Sequence, residues 1–344
     1  MTYQEVLVEA RTCSGPCKAC PICNGRTCGN HIPGPGAKGV GDVAIRNYEA
    51  WKRIRINMNT ISPNVTPDIS FDFFGQKLKA PIMVGPVGAM KLHYGDKYTD
   101  LEYNRILVRA AADAGILAFT GDGTNPDVMK AACSAIEEAG GRGVPTVKPW
   151  DINTLKEKFA LVKSSKSFAV ATDIDAAGLP FLQNLDPPAG SKTVEELHEM
   201  IEAAGKPYII KGIMTPEGAL LAKEAGASAI VVSNHGGRVL DQCPSTAEVL
   251  ESIADAVAGS MMILVDGGIR SGIDIFKALA LGADAVLIAR PYVTAIYGGA
   301  DEGVRLYTEK LMNELTDTMK MCGVSSLKAI SKRNLFHPSS RYLS

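Results

Sequence analysis

The stretch MILVDGGIRSGIDIFKALALGADAVLIAR at residues 262–290 decides the fold of this chain. It holds two short apolar runs, at 262–267 and 285–290, and the segment between them has the apolar spacing of a helix. Gly282 follows the last helical residue, as Gly115 and Gly226 do in two other helical stretches, and a left-handed residue commonly ends a helix at this position. Two parallel strands need a crossover connection, which is usually a helix. The stretch therefore predicts a β/α/β unit.

The same alternation extends over most of the chain. Amphipathic stretches such as TPEGALLAKEAG separate further short apolar runs, which lie at 81–87, 117–121, 144–148, 168–174, 208–212 and 229–234. Eight strands is the number that closes a parallel barrel, and a doubly wound open sheet is the competing architecture. We expect an α/β fold in which residues 42–344 form a single (β/α)8 TIM barrel and residues 1–41 a separate N-terminal segment.

The composition excludes several classes of protein. The 344 residues include 36 Lys and Arg against 37 Asp and Glu, the formal net charge is −1, and 46% of the residues are hydrophobic. This balance suits a large core and argues against disorder and against a nucleic-acid partner. No apolar run approaches the about 20 residues of a membrane helix, and the N-terminal MTYQEVLVEAR lacks a signal-peptide core. We expect a cytoplasmic protein that does not insert into membranes.

Two adjacent strand ends predict a phosphate site. DGGIRSG at 266–272 ends the seventh strand and opens a helix, and paired glycines there let backbone N–H groups approach an anion. Arg290 ends the eighth strand, where its guanidinium can bind the same phosphate. Phosphate binding after strands seven and eight is a recurring arrangement in barrels. A tight turn followed by a surface arginine is the simpler alternative.

The segment SNHGGRVLD at 233–241 follows the sixth strand and contains a pair of candidate catalytic residues. His235 and Arg238 offer a general base and a fixed cation for a carboxylate or an oxyanion. Asp241 is a candidate for orienting the imidazole, and capping of the next helix is its alternative role. A lone histidine is more often packed than catalytic, but this one lies at the end of a barrel strand, where barrel enzymes place their chemistry.

The segment from Lys211 to about Leu335 resembles the FMN-dependent α-hydroxy acid oxidase and dehydrogenase family, which includes glycolate oxidase, lactate oxidase and flavocytochrome b2. The matching stretches are IIKGI, SNHGGRVLD, VDGGIRSGIDIFKALALGADAV, ARP and SLKAISK, and APIMVGPVGAM at 80–90 is similar to the family's first-strand segment. The match is looser over 42–175 and absent over 1–41. The resemblance implies an FMN cofactor and dehydrogenation of a small 2-hydroxy acid such as lactate or glycolate.

The resemblance also implies roles for single residues. His235 removes the hydroxyl proton while hydride passes to flavin N5, Arg238 holds the substrate carboxylate, and Lys211 stabilises the reduced ring. Asp173 pairs with the imidazole, with Asp175 as a competitor for that role. The expected flavin contacts are Pro86, Val87, Gly88, Thr120, Thr146, Lys211, Ser233, His235, Gly236, Arg238, Asp266, Gly267, Gly268, Arg270, Ala289 and Arg290.

Around the substrate the chain departs from the family. VPTVKPW places Lys148 at the end of the third strand, where the family has a tyrosine. The second substrate-binding arginine, expected just after Asp173, is missing from IDAAGLP, and the N-terminal tyrosine has no counterpart. The loop after the fourth strand is shortened to about residues 175–192. Lys148 is therefore a fourth catalytic candidate, which either supplies the missing positive charge or marks a different substrate.

Five of the eight cysteines form a cluster near the N-terminus, with the pattern Cys13-x3-Cys17-x2-Cys20-x2-Cys23-x4-Cys28. Dense cysteine in a chain without a signal peptide points to metal or redox chemistry. C-x2-C-x2-C matches the first three ligands of a bacterial ferredoxin run, although no x3-C-P follows, and four thiolates can also bind Zn²⁺. Free structural or redox-active thiols are the remaining alternative. An iron–sulfur cluster beside a flavin passes electrons singly to an external acceptor, which favours a dehydrogenase over an oxidase that uses O2.

Two other functions remain open. Type 2 isopentenyl diphosphate isomerase is a related FMN barrel with non-oxidative chemistry, but the retained His235 and Arg238 argue against it. A non-catalytic flavoprotein, with the cysteine segment as a redox sensor, predicts flavin that no hydroxy acid reduces. The resemblance further implies a homo-oligomer. The exact substrate and the electron acceptor do not follow from the sequence.

Overall fold

The barrel prediction is confirmed. The computed structural model describes residues 1–186 and 189–336, in which eight parallel strands form a closed barrel in the order β10-β3-β4-β5-β6-β7-β8-β9. The barrel strands are β3 (Ile82–Val84), β4 (Leu117–Thr120), β5 (Val144–Val147), β6 (Val170–Asp173), β7 (Tyr208–Ile213), β8 (Ala229–Val232), β9 (Met262–Val265) and β10 (Ala285–Ile288). Each observed strand lies within or beside one of the eight apolar runs of the sequence.

Helices surround the barrel and precede it. They are α1 (Tyr3–Cys13), α2 (Asp42–Arg53), α3 (Met90–Tyr94), α4 (Asp100–Ala114), α5 (Pro126–Glu138), α6 (Ile152–Ser164), α7 (Pro180–Gln183), α8 (Val194–Ala204), α9 (Pro216–Glu224), α10 (Thr246–Val257), α11 (Gly272–Ala280) and α12 (Arg290–Met321). Gly115 ends α4 with a φ of 82°, as its position in the sequence predicts. In the described part of the chain, no helix is long and apolar enough to span a membrane.

Side chains fill the barrel from its amino-terminal end. A hairpin of β1 (Phe71–Phe73) and β2 (Gln76–Leu78) precedes the barrel, and Phe73 is fully buried there with the interior residues Met83, Phe119 and Leu264. The ring of Phe73 lies 5.9 Å from that of Phe168 in an edge-to-face arrangement, a favourable geometry for aromatic pairs. Because the bottom of the barrel is closed by packing, a ligand site inside the barrel must open at the opposite end.

The N-terminal segment packs against the barrel's last helix. Helix α1 crosses α12 so closely that a Cβ added to Gly298 would lie 1.8 Å from the carbonyl oxygen of Val6. Tyr3 of α1 stacks on Tyr307 of α12, with ring centroids 4.9 Å apart. Glycine at the crossing is therefore required by the close approach of the two backbones. The packing brings residues 1–41 to the carboxyl end of the barrel.

Candidate active site

A cavity of about 410 Å³, here called the mouth cavity, opens at the carboxyl ends of the barrel strands. Sites for small ligands usually have volumes of about 300–1,000 Å³, and this cavity lies within that range. The sequence-predicted residues that line it are Pro86, Val87, Gly88, Lys148, Asp173, Lys211, His235, Gly236, Arg238, Asp266, Gly267, Gly268, Arg270, Ala289 and Arg290. Three other predicted flavin contacts, Thr120, Thr146 and Ser233, are buried at the ends of β4, β5 and β8.

The loop after β9 has the backbone shape that the DGGIRSG motif predicts. Gly267 and Gly268 have φ angles of 87° and 81°, and a Cβ on Gly268 would lie 2.2 Å from the carbonyl oxygen of Asn47. The indole N–H of Trp51 donates to the carbonyl of Gly267 at 2.7 Å. Helix α2 thus holds the loop from behind and leaves the opposite side of the glycines open to the mouth cavity.

Two guanidinium groups stand beside this loop. Arg270 Nε donates to the carbonyl of Cys23 at 2.7 Å, and Arg290 Nη2 donates to the carbonyl of Gly236 at 2.5 Å. Both side chains line the mouth cavity. Glycine backbone, a helix that begins at Gly272 and two arginines together form an arrangement suited to a phosphate group.

His235 is held by a carboxylate, but not by the expected one. Its Nδ1 lies 2.9 Å from Oδ1 of Asp175, whereas its Nε2 lies 4.0 Å from Oδ2 of Asp173. In this structure the short contact is made by Asp175, the competing residue, because it lies in a short 3₁₀ turn at Ile174–Gly178 beside the ring. Asp241 plays neither of its proposed parts: its Oδ2 accepts from the N–H of Val40 at 3.0 Å.

Asp173 is occupied by Lys148 instead. Lys148 Nζ lies 2.5 Å from Asp173 Oδ2, and both residues are buried. Lys211 Nζ lies 3.6 Å from Asp175 and 3.7 Å from Asp266. Cations and carboxylates therefore alternate around the mouth cavity, as buried charges require.

These surroundings decide the charge of the two central groups. The pKa of His235 lies well below its ordinary value, because burial disfavours the imidazolium and Lys211 and Lys148 repel it. Burial also acts to lower the pKa of Lys211, but Asp175 and Asp266 outweigh it, and the net pKa is raised. A neutral imidazole thus faces a charged ammonium group.

Arg238 meets the N-terminal segment. Its Nη1 donates to the carbonyls of Gly34 and Gly36 at 2.6 and 2.9 Å. Burial, followed by the nearby Arg290, lowers the pKa of Arg238 to about 10, so the group remains charged at neutral pH. Sequence reasoning missed this contact, because Gly34 and Gly36 have no side chains that could suggest a role in the site.

The mouth cavity has further lining residues that sequence reasoning also missed. One of them is His93 of α3, whose Nδ1 accepts from the N–H of Gly34 at 3.1 Å. Burial, with Arg238 and Lys148 nearby, lowers the pKa of His93 to about 4. It was missed because no partner residue lies at a meaningful spacing from it in the sequence. The other lining residues outside the predicted catalytic and flavin-contact sets are Ile32, Pro33, Gly34, Ala44, Asn47, Ala89, Leu92, Tyr94, Gly121, Asp122, Gly123, Thr124, Leu179, Phe181, Leu287 and Ile288.

The donor set of the site fits a flavin mononucleotide. In the described part of the chain, the buried atoms Thr120 Oγ1, Thr146 Oγ1, Lys211 Nζ and Asp266 Oδ1 have no hydrogen-bond partner. Buried polar atoms are normally paired, and these four lie in the carboxyl-terminal half of a barrel strand or directly after one. A flavin ring with several acceptors and an N–H, joined to a phosphate, can pair with such hydroxyl, ammonium and carboxylate groups.

The cysteines of the N-terminal segment divide into two groups. Cys13 Sγ donates to the carbonyl of Tyr297 at 3.2 Å. The other four, Cys17, Cys20, Cys23 and Cys28, line a second cavity of about 320 Å³, here called the cysteine cavity. Arg270 and Arg290 line both cavities.

The chain is similar to known flavin enzymes over nearly its whole length. The sequence model of the family described as "FMN-dependent dehydrogenase" matches residues 35–178 and 181–337. A peroxisomal (S)-2-hydroxyacid oxidase of Arabidopsis thaliana is 31% identical over 327 residues, which cover 84% of this chain and 86% of the relative. An L-lactate oxidase of Lactobacillus jensenii is 29% identical over 318 residues, covering 84% and 76%.

Solved structures agree with these relatives. A Pediococcus acidilactici structure titled as a putative lactate oxidase superimposes with a TM-score of 0.79 at 27% identity and covers 98% of this chain and 95% of that one. A mandelate oxidase crystal structure has a TM-score of 0.78 at 27% identity and covers 97% of each chain. With its barrel, its flavin-compatible mouth cavity and this sequence match, the chain belongs to the family of FMN-dependent dehydrogenases, which are enzymes.

Proposed function

We propose that this enzyme dehydrogenates a small 2-hydroxy acid to the 2-oxo acid. The observation that carries the proposal is the neutral His235 imidazole, held at Nδ1 by Asp175 beside three cationic side chains of the mouth cavity. A hydroxy acid presents an anion to be held and a hydroxyl proton to be removed. The relatives named as (S)-2-hydroxyacid oxidase and L-lactate oxidase support this substrate class.

The residues divide the chemistry among them. Asp175 accepts from Nδ1–H of His235, which leaves Nε2 free to take the hydroxyl proton as general base. When bound, FMN supplies the acceptor for the hydride that leaves the same carbon. Lys211, whose ammonium group lines the mouth cavity, would help to hold the cofactor there, and a positive charge beside a flavin would favour its reduced form. The imidazolium that forms is stabilised by Asp175 and by the nearby Asp173.

The substrate carboxylate has two candidate partners. Arg238 is fixed by the carbonyls of Gly34 and Gly36, which leaves its remaining N–H donors for a carboxylate. Lys148 supplies a second positive charge from the end of β5, although its ammonium group is shared with Asp173. We propose that these two cations replace the larger set of substrate-binding groups that the family resemblance implies.

The N-terminal cysteine segment is the second part of the proposal. We infer that residues 1–41 form a functional unit of their own that covers the carboxyl end of the barrel and holds a metal centre, for which the sequence offers iron–sulfur and zinc. The cytoplasmic location and the homo-oligomeric state expected from the sequence stay predictions.

The absorbance spectrum of protein purified without oxygen tests the proposed function. Flavin bands near ~450 nm are expected, and addition of L-lactate or glycolate should bleach them. Flavin that dithionite reduces but no small 2-hydroxy acid does would overturn the substrate class and favour the isomerase or redox-sensor alternatives. Protein that binds no FMN even when the cofactor is added would overturn the proposal altogether.

A further inference from the structure

The cysteine cavity has a ligand set that the flavin chemistry does not use. Cys17, Cys20 and Cys23 follow each other at intervals of three residues, and Cys28 comes five residues later. The loop folds so that all four half-buried thiols line one cavity. Cys13 of α1 lies outside this cavity, and its thiol donates a hydrogen bond to the carbonyl of Tyr297. Four thiols around one cavity are a complete ligand set for a metal centre.

The spacing of the sulfur atoms distinguishes the kinds of metal centre. A single tetrahedral Zn²⁺ with Zn–S bonds of about 2.3 Å brings its sulfurs to about 3.8 Å from one another. Within the described residues, no three cysteine sulfurs lie within 4.8 Å of each other. A four-iron cluster binds each thiolate at a different iron, so its ligands stand farther apart. The four thiols therefore do not form a preformed single-zinc site in this structure, and a wider spacing of the sulfurs is what a four-iron cluster requires.

Positive charge surrounds the cysteine cavity. Arg270 Nη2 lies 3.7 Å from Cys23 Sγ, and its Nε donates to the carbonyl of the same residue. Arg290 also lines the cavity, together with Lys52 and Lys310, which are paired with Asp274 and Glu314. An iron–sulfur cluster with four thiolate ligands carries a net negative charge, and N–H groups directed at its sulfurs stabilise the reduced form.

We propose that Cys17, Cys20, Cys23 and Cys28 bind a four-iron iron–sulfur cluster in the cysteine cavity. Its place beside the mouth cavity gives it a function that rests on the proposed hydroxy acid chemistry. Each hydroxy acid delivers two electrons to the flavin. The oxidised cluster accepts these electrons one at a time. After each electron, the cluster reduces an external one-electron carrier protein and is thereby oxidised again. Arg270 and Arg290 form the wall that the two cavities share.

The first test is the metal content of the full chain purified without oxygen and reconstituted with ferrous iron and sulfide. We expect about four iron and four sulfide per chain, and a low-temperature EPR signal after reduction with dithionite. One zinc per chain, with no iron retained, overturns the polynuclear site. Absence of any bound metal in protein that still holds FMN overturns the site itself.

Variants test which cysteines are ligands. C20S should lose most of the iron and the EPR signal, whereas C13S, which alters a thiol outside the cavity, should keep both. FMN content measured on the same samples reports folding, and C23S provides a second variant should C20S fail to fold. Iron that is lost in C13S and kept in C20S would contradict the assignment.

Counting electrons separates this inference from the proposed function. Anaerobic titration with dithionite should take three electron equivalents per chain, two for FMN and one for the cluster, and C20S should take two. The count does not depend on which substrate the enzyme uses. Bleaching by a hydroxy acid in a chain that takes only two equivalents would therefore uphold the flavin chemistry and overturn the cluster.

Discussion

His235 and Asp175 are joined by a 2.9 Å contact between Nδ1 and Oδ1, although the family resemblance had favoured the aspartate two residues earlier. Asp173 lies 4.0 Å from the other ring nitrogen and pairs with Lys148 at 2.5 Å. The two carboxylates of one short segment thus have different partners. One orients the imidazole, and the other balances a buried cation.

Replacement of His235 by glutamine should stop the chemistry and spare the cofactor. A positioned general base contributes about 10²–10⁴-fold to a rate, so we expect the rate constant of flavin bleaching by L-lactate to fall by that range in H235Q. Stopped-flow absorbance under anaerobic conditions measures it. The FMN content of H235Q should match that of the unmodified enzyme. A variant that reduces its flavin within a factor of two of the normal rate would remove His235 from the mechanism.

Asp175 should act as a positioning residue, and D173N provides the matched comparison. In D175N the amide can donate to Nδ1, which moves the ring proton to Nε2 and removes the free acceptor. We expect kcat to fall by about 10-fold or more, up to the about 10²–10⁴-fold that a lost general base costs, with KM nearly unchanged. In D173N the contact between His235 and Asp175 persists, so KM should change more than kcat. Nitrogen NMR of the His235 ring should report the altered tautomer in D175N alone.

The pH profile should reflect a neutral His235. Because its pKa lies well below 6.5, the basic form of His235 persists under mildly acidic conditions. The midpoint of the acidic limb in the pH profile of kcat/KM should therefore lie below pH 6.5. Removing Lys148 takes away a repelling cation and frees the negative charge of Asp173, and both changes favour the imidazolium. The acid limb of K148M should therefore move to higher pH.

Lys156 supplies the control for that shift. It is a surface lysine of α6 whose ammonium group pairs with Glu199 at 3.5 Å. K156M removes the same charge from the protein at a site outside the mouth cavity, so its acid limb should stay in place. An acid limb that moves to lower pH in K148M would contradict the electrostatic account of His235.

The sequence predicted the parts of this molecule that depend on local periodicity. Apolar runs, helical spacing and the glycine that ends α4 gave the eight strands and their barrel, and DGGIRSG indicated the left-handed backbone at Gly267 and Gly268. Contacts between distant segments did not follow from the sequence. The bonds from Arg238 to Gly34 and Gly36 join the sixth βα loop to the N-terminal segment, and neither glycine has a side chain that could signal the contact.

The choice between Asp173 and Asp175 shows a second limit. Both residues lie at the end of β6, and a strand pattern places them near the same cavity. The 3₁₀ turn at Ile174–Gly178 decides which carboxylate reaches the imidazole, and a turn of this kind leaves no periodic signal. Similarly, the cysteine spacing indicated a metal or redox site, but only the three-dimensional arrangement separates Cys13 from the other four.

A glycine pair can test whether the loop after β9 forms the phosphate site. Gly268 and Gly259 have similar φ angles of 81° and 72°, but a Cβ on Gly268 meets the carbonyl oxygen of Asn47 at 2.2 Å, whereas nothing lies within 4 Å of one on Gly259. An alanine in this conformation costs about 1–2 kcal/mol by itself, so G259A should lose about that much free energy of unfolding and keep its FMN. G268A must also displace the backbone of α2, and we expect a larger loss of stability together with loss of bound FMN.

Urea unfolding and the ratio of flavin to protein absorbance measure the two effects. Full FMN occupancy in G268A would show that the loop can shift without disturbing the cofactor, and the phosphate site would then have to lie elsewhere in the mouth cavity.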